Sequence, residues 1–206
     1  MKKAISILLL LNFTLSSNVL SQLPPDNYKS WSSLTKNKVI VEYSDDFNVP
    51  WCRSSAKFRF SQSAIYSALK DLQNYKNIFD RVSDSRLLSQ NENIAYIRLN
   101  MPWPYADRDY TVKFIESSNN DDIIFQFYSV IHPDTPNNTG SVTLPRAAGE
   151  WRLIPISENA TRVVYTWNGE LLGSFPSYGL TTAWETQGEE VLMWLSEYLK
   201  SRRLDD

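Results

Sequence analysis

The sequence has little of what catalysis and cofactor binding usually require. It contains one cysteine, Cys52, one histidine, His132, and six glycines. It contains no CxxC, HExxH, GxSxG or phosphate-binding glycine loop, which argues against hydrolases, metalloenzymes and nucleotide-dependent enzymes. A lone histidine before a turn-rich segment is typical of a solvated side chain, and a lone cysteine of a packed small residue. We therefore expect no catalytic residue, no metal site and no cofactor.

The charge balance argues against another class of protein. Lysine and arginine number 21 against 23 aspartate and glutamate, and the formal net charge is −2 at pH 7. Nucleic-acid binding needs a basic face for the phosphates, so nucleic acid is not an expected partner. The basic segment KSRR near the C terminus is a small candidate surface for transient membrane contact.

The N-terminal residues have the three-part layout of a secretory signal peptide. MKK precedes the apolar run AISILLLLNFTL and then the polar SSNVLSQ, where Val19 and Ser21 fit the small-residue rule for cleavage after Ser21. The apolar run is shorter than the roughly 20 residues that span a bilayer. We expect a signal peptide over 1–21 and one domain over 22–206. A single thiol cannot form an internal disulfide. A bacterial periplasm or cell exterior therefore fits the export signal better than a disulfide-rich animal secretion.

Hydrophobic periodicity predicts strands and two helices along the remaining chain. KVIVEYS and SSAKFRFS alternate like half-buried strands, and SAIYSALKDLQNYKNIF has helical spacing. More alternating segments follow, with links too short for parallel crossovers, and HPDTPNNTGS, from His132 to Ser141, is expected to be a loop. A long helix over about Leu180 to Arg203 comes last. This order predicts an α+β fold with a curved antiparallel sheet wrapped around the C-terminal helix.

The apolar faces of these strands allow two interpretations. Aromatic residues make up 13% of the chain, including seven Trp and eleven Tyr. Such side chains either pack together as a core or surround a hydrophobic small molecule in a pocket. Periodicity alone leaves both interpretations open.

The segment NMPWPYADRDY joins two of the predicted strands. Its two prolines cannot donate ladder hydrogen bonds and favour an extended turn around the tryptophan. Its DRD triplet is either an anchor for a ligand headgroup or an ion-paired clamp at the start of a strand. The second interpretation is favoured because arginine beside carboxylates commonly satisfies a half-buried charge. Structural roles are therefore predicted for Trp103, Asp107, Arg108 and Asp109.

The same segment, as PWPYADRDYTV, resembles the signature of START (StAR-related lipid-transfer) domains, especially exported bacterial members. GEWRLIP, TRVVYTW and GSFPSYG match further family positions in the same order. The resemblance extends from about Trp31 to Arg203. It implies the helix-grip fold of the SRPBCC superfamily, in which the sheet and last helix enclose a tunnel for one lipid or similar hydrophobic molecule.

The resemblance also implies which residues line the tunnel, namely alternate strand residues and one stripe of the last helix. These are the apolar faces that periodicity identifies. They comprise Ala95, Ile97, Leu99, Tyr110, Val112, Phe114, Phe125, Phe127, Tyr165, Trp184, Val191, Leu195 and Leu199. Phe114 and Ala95 stand where some sterol-binding members place a buried Arg and Glu, so the expected wall is fully apolar.

The expected function is binding, with transport or sensing, of a lipid or other hydrophobic small molecule and without catalysis. Two alternatives stay open. One is a polyketide cyclase or aromatase of the same superfamily, with acid–base groups drawn from Tyr66, Tyr96, Tyr110, Tyr165 and the DRD triplet. The other is an interaction module with a filled core. Whether ionisable side chains converge in a cavity distinguishes the carrier from the enzyme.

Overall fold

The computed structural model describes residues 19–137 and 139–205, apart from the side chains of residue 36 and of residues 203–205. Most of the predicted signal peptide, residues 1–18, lies outside the described residues. The strands are β1 Ser32–Lys36, β2 Ile40–Ser44, β3 Trp51–Phe58, β4 Val82–Ser89, β5 Ile94–Leu99, β6 Asp107–Asn119, β7 Asp122–Ser129, β8 Ser141–Thr143, β9 Ala148–Ser157 and β10 Ala160–Asn168. The helices are α1 Gln62–Lys70, α2 Tyr75–Ile78 and α3 Leu180–Asp205, with 3₁₀ turns at Val19–Gln22, Leu72–Asn74 and Ser177–Gly179. None of the described helices combines the length and apolar character needed to cross a bilayer.

All ten strands belong to one curved sheet. Its order is β1-β2-β3-β10-β9-β7-β6-β5-β4, and neighbours along this path are antiparallel. The long helix α3 contacts β1, β2 and β3 as well as α1 and α2. The predicted α+β helix-grip architecture is confirmed.

Strand β8 is the exception to the predicted meander. It pairs in parallel with the start of β6, Ser141 opposite Asp107, although its first residue ends the segment predicted to be a loop. Three residues are too few to show a period of two, so the sequence carried no signal for this strand. Strands β1 and β4 were also not predicted. They are the two edges of the sheet, where polar residues such as those of VSDSRLLS are tolerated.

The first predicted helix is divided in the structure. Helix α1 is capped by Ser61, whose side chain accepts a hydrogen bond from the N–H of Ala64, and it ends at Lys70. A 3₁₀ turn and α2 follow. The break leaves the carbonyl of Leu69 without its usual helical donor, and the hydroxyl of Tyr75 donates to it at 2.6 Å. The tertiary contact therefore decides a boundary that periodicity did not indicate.

The sheet has a buried cluster on each face. Cys52 belongs to the larger cluster between the sheet and the helices, whereas its neighbour Trp51 belongs to a smaller one on the opposite face. Adjacent strand residues point to opposite faces, which accounts for the division. Val49, Ala148 and Val19 complete the smaller cluster. Val19 precedes the predicted cleavage site.

Gly188 sets how closely α3 approaches the sheet. A Cβ atom at this position would lie 2.8 Å from Cγ1 of Val41 on β2 and 3.1 Å from Cη2 of Trp167 on β10. Both of those side chains are buried. The glycine therefore permits a separation between helix and sheet that any larger residue would increase.

Candidate functional site

A cavity of about 500 Å³ lies between α3 and the concave face of the sheet. This volume falls within the range of roughly 300–1,000 Å³ that small-molecule sites occupy. Residues of β4, β5, β6, β7, β9 and β10 form one wall, and the first half of α3 forms the other. The core is therefore not filled, whereas the interaction-module interpretation required a filled core.

The predicted ligand-binding residues divide into two groups in the structure. Those that border the cavity are Ile97, Leu99, Tyr110, Phe114, Phe127, Tyr165 and Val191. Those that are buried but do not border it are Ala95, Val112, Phe125, Trp184, Leu195 and Leu199. Periodicity identifies the inward face of an element but not which part of that face is covered by another helix. Ligand binding by either group stays a prediction.

Contacts with the helices explain why two members of the second group lie outside the cavity. The ring of Phe125 meets that of Tyr66 on α1 edge to face at 6.1 Å between centroids. Trp184 donates from Nε1 to the carbonyl of Gly169 at 2.7 Å, and its ring lies 5.3 Å from that of Tyr43. Phe125 therefore packs against α1, and Trp184 joins α3 to the segment after β10 and to β2.

Stacked aromatic rings form the floor of the cavity. The ring of Tyr165 lies 4.2 Å from that of Trp151 and 4.9 Å from that of Trp167, both stacked. Phe79 stacks on the other side of Trp151 at 6.1 Å. Of these residues only Tyr165 was predicted to line the site. Alternation within GEWRLIPI was the available signal for Trp151, whereas Phe79 lies in the irregular end of the first helical region and gave none.

The cavity wall also contains charged groups, which corrects the expectation of a fully apolar wall. Arg81 binds Glu190 on α3 through two hydrogen bonds, Nε to Oε2 at 2.6 Å and Nη2 to Oε1 at 2.9 Å. Arg146 pairs with Glu170. Arg81 precedes β4, Arg146 precedes β9 and Glu170 follows β10. Because these residues flank strands rather than lie in them, strand periodicity could not place them in the wall.

Arg108 borders the cavity and is almost fully buried, with 1% of its surface exposed. Its guanidinium donates to the carbonyls of Leu171 at 2.6 Å and Leu172 at 2.9 Å, and also to the carbonyl of Ala106. Burial lowers the pKa of the guanidinium from its usual value, but arginine stays protonated in proteins. This geometry is that of a clamp that fixes the backbone after β10 over the cavity.

The carboxylates on either side of Arg108 point to the other face of β6 and join neighbouring strands. Asp107 pairs with Arg98 on β5 at 2.9 Å and accepts the N–H of Met101 at 3.1 Å. Asp109 accepts hydrogen bonds from Thr143 Oγ1 at 2.6 Å and from Ser141 on β8. The parallel pairing of β8 thus rests partly on one buried carboxylate.

Trp103 does not share the structural role predicted for the DRD triplet. Its side chain is 93% exposed. The turn that carries it, with a cis peptide bond between Trp103 and Pro104, leaves the sheet between β5 and β6. The two prolines therefore shape the turn without the tryptophan packing into the core.

Five tyrosines also border the cavity, at positions 75, 105, 110, 165 and 178. Burial raises the pKa of Tyr75, Tyr110 and Tyr165 well above the ordinary value of a phenol, so these three carry their protons near neutral pH. Tyr66 and Tyr96, which the enzyme interpretation also required, do not border the cavity. Neither do His132 and Cys52.

The sequence resembles a curated protein over part of its length. No family model matches the chain. An uncharacterized protein of Pseudomonas aeruginosa is 29% identical over 98 residues. The match spans 47% of this chain and 48% of that protein, so about half of each is compared.

Solved structures resemble the chain over most of its length. A STAR-related lipid transfer protein fragment from Xanthomonas axonopodis superposes with a TM-score of 0.71 at 24% identity, covering 84% of this chain and 99% of that one. The fold is that of START domains. Human STARD10 shares this START fold with a TM-score of 0.73 at 16% identity, over 86% of this chain and 80% of that one.

The same fold also occurs in an enzyme. The Zhui aromatase/cyclase from Streptomyces gives a TM-score of 0.52 at 13% identity, covering 74% of this chain and 94% of that one. Identities this low show the START fold alone. One fold thus serves both binding and catalysis, and the residues of the cavity decide between them.

Proposed function

We propose that this protein binds a lipid or another hydrophobic small molecule in the cavity beneath α3 and carries or presents it without chemical change. The observation that supports the proposal most is a cavity of about 500 Å³ with predominantly apolar walls. Burial of apolar surface contributes about 25 cal/mol per Å², so a few hundred Å² contributes several kcal/mol before ordering costs.

The charged groups of the wall are consistent with this function. Glu190 and Glu170 each pair with an arginine, and Arg108 is bonded to backbone carbonyls. Each charge is thus compensated within the protein rather than held ready for a charged ligand. The remaining space suits an apolar molecule.

A cyclase-like activity is the second candidate, favoured by the aromatase/cyclase with the same fold and by the tyrosines of the wall. Acid–base catalysis is most effective when the pKa of the group lies near the working pH. Burial raises the pKa of Tyr110 and of Tyr165, which moves both phenols away from that condition. Binding is therefore the function that the site supports better.

The deciding experiment is mass spectrometry of small molecules released from protein purified without denaturant. A carrier yields a hydrophobic molecule in stoichiometric amount, and the protein stripped of it takes up the uncharged dye Nile red. Recovery of no such molecule, together with no Nile red uptake by folded protein, would falsify the proposal. Conversion of the released molecule on re-addition to the protein would favour the enzyme.

Transport requires contact with a donor and an acceptor membrane, and we propose the exposed end of α3 for this contact. Lys200 and Arg202 are exposed there. Nile red transfer between vesicles should accelerate with anionic vesicles, and Lys200→Glu should reduce that acceleration. Equal transfer rates with neutral and anionic vesicles would contradict membrane contact through this basic end of α3.

We further propose export to a periplasm or the cell exterior, on the basis of the leader-like N terminus. The mass of the protein recovered after expression in a bacterium with an active secretion pathway tests this. A chain that starts at Gln22 is expected in the periplasmic or medium fraction. Recovery of the uncleaved chain in the cytoplasm contradicts the proposal.

A further inference from the structure

Tyr110 and Tyr165 project from two strands of the cavity wall, and their hydroxyls have no hydrogen-bond partner among the described residues. Buried hydroxyl groups are normally hydrogen-bonded, because an unmade bond leaves the cost of desolvation uncompensated. Tyr75 follows this rule through Leu69. Within the part of the chain that the structure describes, the hydroxyls of Tyr110 and Tyr165 make no hydrogen bond, although the side chain of Tyr165 is only 8% exposed.

Both tyrosines border the same cavity. Tyr110 lies on β6 opposite Ile97, and Tyr165 lies on β10 opposite Trp151. The two strands are separated by β7 and β9, which on a flat sheet would place them about 14 Å apart. Curvature brings side chains on the concave face closer together. The ring of Phe127, from the strand next to β6, lies 6.4 Å from that of Tyr165.

The electrostatics of the two phenols agree with this placement. Burial raises the pKa of Tyr110 and of Tyr165, and a charge on Tyr110 would raise that of Tyr165 further. The two phenols are therefore close enough for a charge on one to influence the other. Both carry protons near neutral pH, so both can donate hydrogen bonds as well as accept them.

The charges of the surrounding wall indicate what these hydroxyls can bind. Arg81 and Arg146 are each paired with a glutamate, and Arg108 is bonded to three carbonyls. An ionised ligand group beside the tyrosines would have no free counter-ion among these and would lose its hydration, which is costly. An uncharged oxygen avoids that cost, since a carbonyl oxygen can accept from both phenols.

We propose that Tyr110 and Tyr165 form the specificity-determining polar site of the cavity and bind an uncharged carbonyl or hydroxyl group of an otherwise apolar ligand. This inference rests on the proposed function and narrows the class of ligand. A site with unpartnered buried hydroxyls discriminates against a molecule that lacks the matching group, because the hydroxyls then stay unpaired.

The test compares two probes that differ in the oxygen group. Methyl decanoate and tridecane have the same number of non-hydrogen atoms, and each is titrated against Nile red bound to the stripped full-length protein. The variants are Tyr110→Phe and Tyr165→Phe, which remove the hydroxyl and keep the ring. Tyr66→Phe is the matched control, because Tyr66 packs in the same core without bordering the cavity.

The wild type is expected to bind the ester more tightly than the alkane. Each cavity variant should weaken binding of the ester by about 3- to 10-fold, the value of one hydrogen bond, with tridecane unchanged. Tyr66→Phe should keep the wild-type preference. Equal binding of the two probes by the wild type, or equal losses for both probes in the variants, overturns the assignment but leaves the carrier function intact. Failure of the wild type to bind Nile red and both probes overturns both.

Discussion

The guanidinium of Arg81 holds both carboxylate oxygens of Glu190, at 2.6 and 2.9 Å, and so connects the segment before β4 to the middle of α3. The two residues are 109 positions apart in the chain. They border the cavity on the side where the edge of the sheet meets the helix. The pair therefore closes one side of the space beneath α3.

Breaking this pair should speed the release of a bound molecule. Arg81→Gln is expected to raise the dissociation rate of Nile red several-fold and to lower the free energy of unfolding by about 1 kcal/mol, because the pair is partly solvated. Arg86→Gln is the matched control, since Arg86 pairs with Asp84 on the same strand and does not border the cavity. Stopped-flow dilution measures the rate. Equal dissociation rates of Nile red from the two variants would show that the Arg81–Glu190 pair does not control release.

Filling the cavity should reduce binding. Ala183 lies on α3 and borders the cavity, so Ala183→Trp is expected to weaken Nile red binding by at least about 10-fold at a stability cost of about 1–3 kcal/mol. Thr181→Trp adds the same side chain at an exposed position of the same helix and should leave binding unchanged. Fluorescence titration measures both. Full binding by a folded Ala183→Trp variant would place the ligand outside this cavity.

The Arg108 clamp should stabilise the segment that follows β10. Arg108→Met leaves the carbonyls of Leu171 and Leu172 without their donor, and the free energy of unfolding is expected to fall by about 3 kcal/mol. Amide exchange over residues 170–176 should accelerate more than over α3. Arg162→Met, at an exposed position on β10, is the control. Urea unfolding and exchange measured by mass spectrometry provide the data, and a loss below about 0.5 kcal/mol would rule out the clamp.

The thiol of Cys52 should report unfolding. It is fully buried, and burial raises its pKa well above the ordinary value. Iodoacetamide is therefore expected to label the protein at pH 8 only in urea. Because the folded pKa is raised, the contribution of the thiol to stability is complete below its unfolded pKa of about 8.5 and is lost as pH rises toward the folded value. Cys52→Ala should remove that part of the pH dependence, and rapid labelling of native protein would contradict the burial.

The close approach of α3 to the sheet should depend on Gly188. Alanine normally stabilises a helix by about 1 kcal/mol relative to glycine, but here its Cβ would contact Val41 at 2.8 Å. Gly188→Ala is therefore expected to lower the free energy of unfolding. The same change should be less costly in a Val41→Ala background, where space is available. Additive effects in this double-mutant cycle would show that the contact does not limit the helix position.

The sequence predicted most of the fold because the relevant information is local. Alternation placed β5, β6, β7, β9 and β10, and helical spacing placed α3 within two residues of its observed end. The resemblance of the segment that contains PWP and DRD to the START signature also predicted the START fold. Edge strands, the short β8 and the break after Lys70 were missed, since each depends on contacts with distant parts of the chain rather than on periodicity.

The site was less predictable than the fold. By itself the sequence determined which faces are apolar, because side-chain direction follows from the period of a strand or a helix. Tertiary structure decided which part of those faces α1, α2 and α3 cover and which part stays open as a cavity. It also decided that Arg81, Arg146 and two glutamates enter the wall and that Tyr110 and Tyr165 keep unpaired hydroxyls there. These outcomes depend on the curvature of the sheet, which brings together residues that no local pattern relates.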